Sequence, residues 1–272
     1  GTTTITDAQF KTSSTNTDPI LVTSENTLSV YTEGSATNST YPFYAISGRD
    51  TIPAVFPKGY AAFHIMKYEI TEQQYADFLN TIPSQHWGVR YLGNYGSYRN
   101  RLINGGTYPN FYYTTRPYRA QNYLSWADIT AFLDWACLSP MSECQYEKAC
   151  RGPQPFITGE YAWGNIYITA ANNINNTIED GTEVVGTGNC NYNNTTLVGG
   201  DEGQGPLRVG IFATATTTTR EATGASYYGV MELSGNVAEW CVMAVPNNGP
   251  NPTAFQYQQW GDGYLDQNGD AD

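Results

Sequence analysis

Short apolar runs separated by long polar stretches fill this 272-residue chain, and three of the runs carry a helical period. Thr71-Glu72-Gln73-Gln74 has the form of a capping box, in which Thr71 accepts from the Gln74 backbone amide and the Gln74 side chain reaches back. Tyr75, Phe78, Leu79 and Ile82 follow at i, i+3, i+4 and i+7, which makes one apolar face, and Pro83 closes the helix. A second helix starts at Ser125, with Asp128 three residues on. Its expected buried face is Trp126, Ile129, Phe132, Leu133 and Ala136, and Pro140 stops it. Ser142-Glu143-Cys144-Gln145 opens a third, shorter helix that turns Tyr146 and Ala149 inward and ends at Arg151-Gly152.

Strand signals are weaker. "TTTIT", "PILVTS" and "TLSVYT" near the N-terminus are β-branched runs broken by Asn and Pro, and they predict short strands. "YAAFHIMKYEIT", residues 60–71, predicts a buried strand feeding the first helix, and "PLRVGIFA" predicts another short one. Residues 84–122 show little period. Their tyrosines, with Arg99, Arg101, Arg116 and Arg119, suit either a ligand-facing surface or a long loop packed on the body. Beyond about residue 160 the chain is dominated by Asn, Gly and acidic loops, with no internal repeat. A few helices followed by loops and short strands predict an α+β domain. Residues 1–59 form a strand-rich segment, either part of the same domain or an assembly arm, and 60–272 form the main domain.

Composition narrows the function classes. The net charge of −12 argues against nucleic acid and against an anionic membrane surface, both of which call for basic stripes. No apolar run approaches the roughly 18 residues of a membrane-spanning helix. The chain begins at Gly1, so a mature or trimmed product is expected. A surface rich in Thr, Asn, Ser and Tyr, with few charges, suits an extracellular or cell-surface protein. Asn38, Asn175, Asn193 and Asn194 head glycosylation sequons, whose use depends on the source. The five cysteines, Cys137, Cys144, Cys150, Cys190 and Cys241, contain no CxxC pair, so neither a zinc knuckle nor a redox motif is expected. The two histidines, His64 and His86, are expected to be structural.

"SYYGVMELSGNVAEWC", residues 226–241, is the most informative stretch, because Gly, Asn and two glutamates interrupt an otherwise apolar run. With "MKYEITEQQYADFLN", "LSWADITAFLDWACLSPMSECQYEKACRG" and "YAWGN", it makes four ordered blocks that resemble the sulfatase-modifying-factor family, which includes the formylglycine-generating enzyme. The resemblance runs from about Phe63 to Trp240 and implies a C-type-lectin-like fold, with two main helices, small twisted sheets and much loop. It also implies calcium at the Gly-Asn bend, held by the Glu232 and Glu239 side chains and the Gly235 and Val237 carbonyls. Met231, Leu233 and Trp240 would anchor that loop in the core. A second implied calcium set is Asn189 and Asp201 through side chains, with Cys190 and Gly203 through carbonyls.

The family's copper-binding cysteine pair lies C-terminal to this bend, and here the only cysteine beyond it is Cys241, so copper is not expected. The expected function is therefore an extracellular structural or binding protein, self-assembling into a homo-oligomeric fibre or shell, with a protein or glycan ligand. An oxidoreductase acting on protein cysteine through Cys190 and Cys241, and calcium-dependent glycan binding, stand as alternatives. In the tail, Asp266, Asn268, Asp270 and Asp272 alternate like the start of an EF-hand loop. Ala271 occupies the glycine position, which favours a solvated turn.

Overall fold

The computed structural model describes residues 10–11, 20–32, 48–175, 180–192, 204–242 and 264–271. Three antiparallel sheets and a set of short helices make the expected α+β arrangement. A three-stranded sheet in the order β1-β2-β3 joins β1 (Phe10–Lys11), β2 (Leu28–Thr32) and β3 (Gly48–Ile52). Val30 and Ile52, with Phe56, bury a small cluster against Cys144 and Val242. The principal core lies under α1 (Glu72–Thr81), where Tyr75, Phe78, Leu79 and Ile82 meet Phe132 of α3 (Trp126–Trp135) and Leu102 and Tyr112 of a hairpin. The Phe78 and Phe132 rings meet edge-on at 5.8 Å, a preferred aromatic geometry. That hairpin is β4 (Leu102–Thr107) and β5 (Asn110–Thr114), and a second joins β6 (Asn172–Asn175) to β7 (Val184–Thr187).

All three capping boxes form as expected. Thr71–Gln74, Ser125–Asp128 and Ser142–Gln145 each exchange both hydrogen bonds at the starts of α1, α3 and α4 (Glu143–Arg151). Each satisfies amides that a helix start otherwise leaves unpaired. Gly152 ends α4 at φ +66°, its amide donating to the Lys148 carbonyl.

Several expectations fail for one shared reason: an apolar run became coil or turns because, among the described residues, no neighbouring strand lies beside it. Residues 60–70 form no strand. Their backbone bonds go to isolated partners, with Gln121 N donating to Ile70 O and Met231 N to Lys67 O, both near 2.9 Å. "PILVTS" is likewise coil over its described residues, and "PLRVGIFA" is a set of turns joined by a single bridge, Arg119 to Arg208. "TLSVYT" does supply β2, whereas "TTTIT" lies outside the described residues. The region 84–122, expected to be irregular, holds the β4–β5 hairpin and the short α2 (Trp87–Arg90). Two of its arginines, Arg99 and Arg119, are fully buried, so they serve the body of the protein, and Tyr112 joins the core, while Tyr95, Tyr98, Tyr108, Tyr113 and Tyr118 are exposed.

The second helix also turns differently from its apolar period. Asp128, Thr130, Ala131, Phe132 and Asp134 are its buried residues, while Trp126, Ile129 and Leu133 are only partly covered. The cause is a buried cation: Arg90 donates to Asp128 at 3.2 Å and draws that carboxylate inward. Arg90 also donates to Gly269 O at 2.9 Å and pairs with Asp270, so the tail is clasped to the body. The Asp266 side chain caps its own turn, accepting from Asn268 N and Asp270 N, which is the turn expected of that segment. No helix among the described residues is long and apolar enough to cross a membrane.

Candidate functional site

The bend at residues 232–239 folds back on itself because three residues in it take left-handed backbone angles: Glu232 (φ +58°), Gly235 (φ +104°) and Asn236 (φ +63°). At Gly235 only glycine fits. A Cβ there would overlap Cys190 Sγ and sit 2.9 Å from the Asn191 carbonyl oxygen. Asn236 then works as a bracket. Its Oδ1 accepts from Leu207 N at 2.7 Å and from Asn191 Nδ2 at 2.9 Å, and its Nδ2 donates to Glu69. Its own amide donates to Asn191 O at 2.9 Å. Further ties hold the bend to α4 and the loop at 190: Tyr146 Oη donates to Leu233 O, and the Cys190 thiol donates to Ser234 O at 2.8 Å. Met231 and Leu233 are buried as anchors, as expected. Trp240 is not: it is 50% exposed and lies beside Trp126, centroids 6.3 Å apart, because the chain has already turned outward after Glu239.

Three carboxylates gather at this bend. Glu69 arrives from the 60–70 coil and accepts from Val237 N at 3.0 Å as well as from Asn236. Glu232 accepts from Gly210 N at 2.8 Å through one oxygen, and its other oxygen is buried without a partner. Glu239 Oε1 is also buried and unpartnered. Burial pushes Glu232 up to about 7, and burial with the neighbouring Glu232 charge pushes Glu239 up to about 8. Burial, reinforced by Glu232 and Glu239, holds Glu69 well above the usual carboxylate range. Two orphaned carboxylate oxygens among mutually repelling acids form a donor set that suits a hard cation. Among the described residues no three His, Cys, Asp or Glu side chains converge into a cage of their own, so backbone carbonyls would have to complete the coordination.

Thus the structure gathers Glu232, Gly235, Val237 and Glu239 in one bend and adds Glu69, which the sequence reading missed. The available signal was a lone glutamate inside the apolar run 60–71. The second implied set is only half described. Asn189 bridges backbone, accepting from Thr169 N at 2.8 Å and donating to Glu221 O at 2.9 Å, and Cys190 O accepts from Ala171 N. Asp201 and Gly203 lie outside the described residues.

Beside the bend runs a cleft of about 970 Å³. Glu69, Asn236 and Glu239 lie on one wall, Ile129 and Leu133 of α3 on another, and Tyr98, Tyr123 and Trp240 also line it. The partly covered face of α3 is therefore a cleft wall.

The cysteines are unpaired. Burial pushes Cys144, Cys150, Cys190 and Cys241 each up to about 12, with nearby carboxylates adding to it. For Cys241 the carboxylates are Glu239 and Glu143, and for Cys190 they are Glu232, Glu239 and Glu69. These are protonated thiols at neutral pH.

A family model described as the sulfatase-modifying factor enzyme 1-like domain matches residues 48–259. No curated protein and no solved structure matches the chain.

Proposed function

Starting from a chain that belongs to the sulfatase-modifying factor enzyme 1-like family, we propose that it uses this scaffold as a calcium-braced binding module with no reaction centre of its own. One observation carries the reading: the two thiols offered for the family's redox chemistry are not paired with each other, and Cys190 donates its proton to Ser234 O inside the bend. Thiolate is the form that ligates copper and attacks sulfur, and burial beside Glu239 disfavours it at Cys241 as burial beside Glu232 does at Cys190.

Calcium fits the bend. Glu232 and Glu239, through their unpartnered oxygens, and the carbonyls of Gly235 and Val237 would hold it, with Glu69 beside them. The ion supplies positive charge that lets buried carboxylates stay ionised at neutral pH. The set at Asn189, Cys190, Asp201 and Gly203 is the weaker candidate, since both of its described members are engaged in backbone bonds.

The sparse surface charge and abundant exposed tyrosines favour an extracellular setting, and the N-terminal sheet offers strand edges through which copies could pair into an assembly. The test is a pair of titrations on the full chain. Calcium should raise the melting temperature and EDTA should lower it. Copper(I) should leave the thiols free to alkylation, and a cysteine-containing peptide should stay unoxidised. Stoichiometric copper uptake with peptide oxidation would make the chain an oxidoreductase. Electron microscopy and light scattering that show only monomers would remove self-assembly.

A further inference from the structure

We propose that the cleft beside the bend binds a neutral oligosaccharide, which stacks on Tyr98, Tyr123 and Trp240 and donates hydroxyl hydrogen bonds to Gln121. This rests on the reading of the chain as a binding module and names the ligand class of its cleft.

The first support is strain held in place on purpose-built props. Tyr98 (φ +45°), Arg99 (φ +66°) and Tyr123 (φ +67°) all sit in the left-handed region, which costs a non-glycine residue about 1–2 kcal/mol each. Asn122 Nδ2 donates to Tyr98 O at 2.9 Å, and Asn100 Nδ2 donates to Asn122 Oδ1 at 2.9 Å. Arg119 donates to Arg99 O, and the backbone at Gly205 passes so close to Tyr98 O that a Cβ there would overlap it. A strained segment that served packing would bury its rings. These rings stay 61% (Tyr98) and 42% (Tyr123) exposed, with centroids 6.3 Å apart and planes at 62°. Strain of this kind concentrates at ligand clamps, where the surrounding structure over-determines it.

The second support is an acceptor without a donor. Gln121 is almost fully buried on the cleft wall. Its Nε2 is committed to Asn122 O at 2.8 Å, and its Oε1 has no partner. Leaving such an oxygen unpaired costs about 1–3 kcal/mol, which a ligand hydroxyl would recover.

Charge and shape then choose the ligand. Among the described residues no Lys or Arg lines the cleft and His64 is its one basic side chain, so no guanidinium or ammonium group is there to receive a phosphate, sulfate or carboxylate. Both oxygens of Glu69 are already engaged, by Asn236 and Val237, and Glu239, the other acid on that wall, is committed to the calcium proposed at the bend. The two tyrosines stand edge to face as a two-sided corner, not as the cage that encloses an ammonium group. What remains is a surface that takes C–H faces on its rings and O–H donors on its amides. At about 970 Å³ the cleft is near the upper end of small-ligand pockets, with room for several sugar rings.

The experiment uses the full calcium-loaded chain on an array of neutral gluco-, manno-, galacto-, xylo- and chito-oligosaccharides. Titration by tryptophan fluorescence follows, with a heparin tetrasaccharide and spermidine as charged probes. At least one neutral class should bind and shift the tryptophan emission, and neither charged probe should. Tyr98→Ala should weaken binding about ten-fold or more with an unchanged melting temperature, and Tyr98→Phe should restore it, since stacking needs only the ring. Binding should persist in EDTA for as long as circular dichroism reports a folded chain. The proposal falls if no neutral oligosaccharide binds, if heparin or spermidine binds instead, if Tyr98→Ala has no effect, or if EDTA abolishes binding in a folded chain. Peptide oxidation would end the non-catalytic reading while leaving a positive sugar titration standing, so the two failures are distinguishable.

Discussion

Replacing Gly235 by alanine probes the bend most directly. The native φ of +104° lies outside the range an alanine adopts without strain, which costs about 1–2 kcal/mol. The new Cβ would also overlap Cys190 Sγ and press on Asn191 O at 2.9 Å. Neither neighbour is free to retreat, because Cys190 is tied to Ser234 O and Asn191 accepts from the Asn236 amide. Overpacking of this type costs about 1–3 kcal/mol. The two parts together give about 2–5 kcal/mol, or a fall of about 4–20 °C in melting temperature for a domain of this size. A double-mutant cycle separates them. Cys190→Ala alone should destabilise modestly, but in the Gly235→Ala background it should recover the steric part, leaving a coupling of about 1–3 kcal/mol. Thermal melts followed by near-ultraviolet circular dichroism supply all four corners. A fall under about 2 °C for Gly235→Ala, or a cycle with no coupling, would show that the bend is not wedged against Cys190 as described.

The acids at the bend make stability depend on pH. Glu232 and Glu239 titrate near 7 and 8 when folded, above their ordinary value of 4.5, so the folded chain binds more protons than the unfolded one between those limits. Stability of the cation-free protein should therefore fall as pH rises from about 4.5 to 8, and calcium should flatten that decline. Melts at stepped pH with EDTA or calcium check both, and a stability that rises over this window in EDTA would contradict the buried acids. Asn236→Ala orphans Leu207 N and takes one partner each from Glu69, which keeps Val237 N, and from Asn191 Nδ2, which keeps Gly205 O, so at about 1–3 kcal/mol for the orphaned amide plus the two lost bonds it should cost at least about 2 kcal/mol by urea denaturation. Arg90→Ala should cost about 3–5 kcal/mol, because it strands buried Asp128. Asp270→Ala, which removes a half-exposed partner of the same arginine, should cost no more than about 1 kcal/mol, and equal losses in a thermal melt would refute the assignment.

Locally encoded features were legible in the chain. The three capping boxes, the buried face of α1 and the glycine stop of α4 follow from residues within one or two turns of each other, and all formed as the spacing predicts. The Gly-Asn bend was equally visible, since a glycine and an asparagine amid apolar residues announce a backbone that those neighbours cannot adopt. Tertiary contact decided everything that needed a partner distant in sequence. The run 60–70 has strand character but met only isolated partners at 121 and 231. Helix α3 rotated its aspartate inward because Arg90, 38 residues away, was there to neutralise it, and so turned Ile129 and Leu133 toward the cleft. Glu69 joined Glu232 and Glu239 only because the fold laid two lengths of chain, distant in sequence, together. Propensity and capping act over a few residues and can be read in order along the chain. Charge pairing and burial act through space, so the acid-lined bend and the tyrosine corner came into being only when the chain closed on itself.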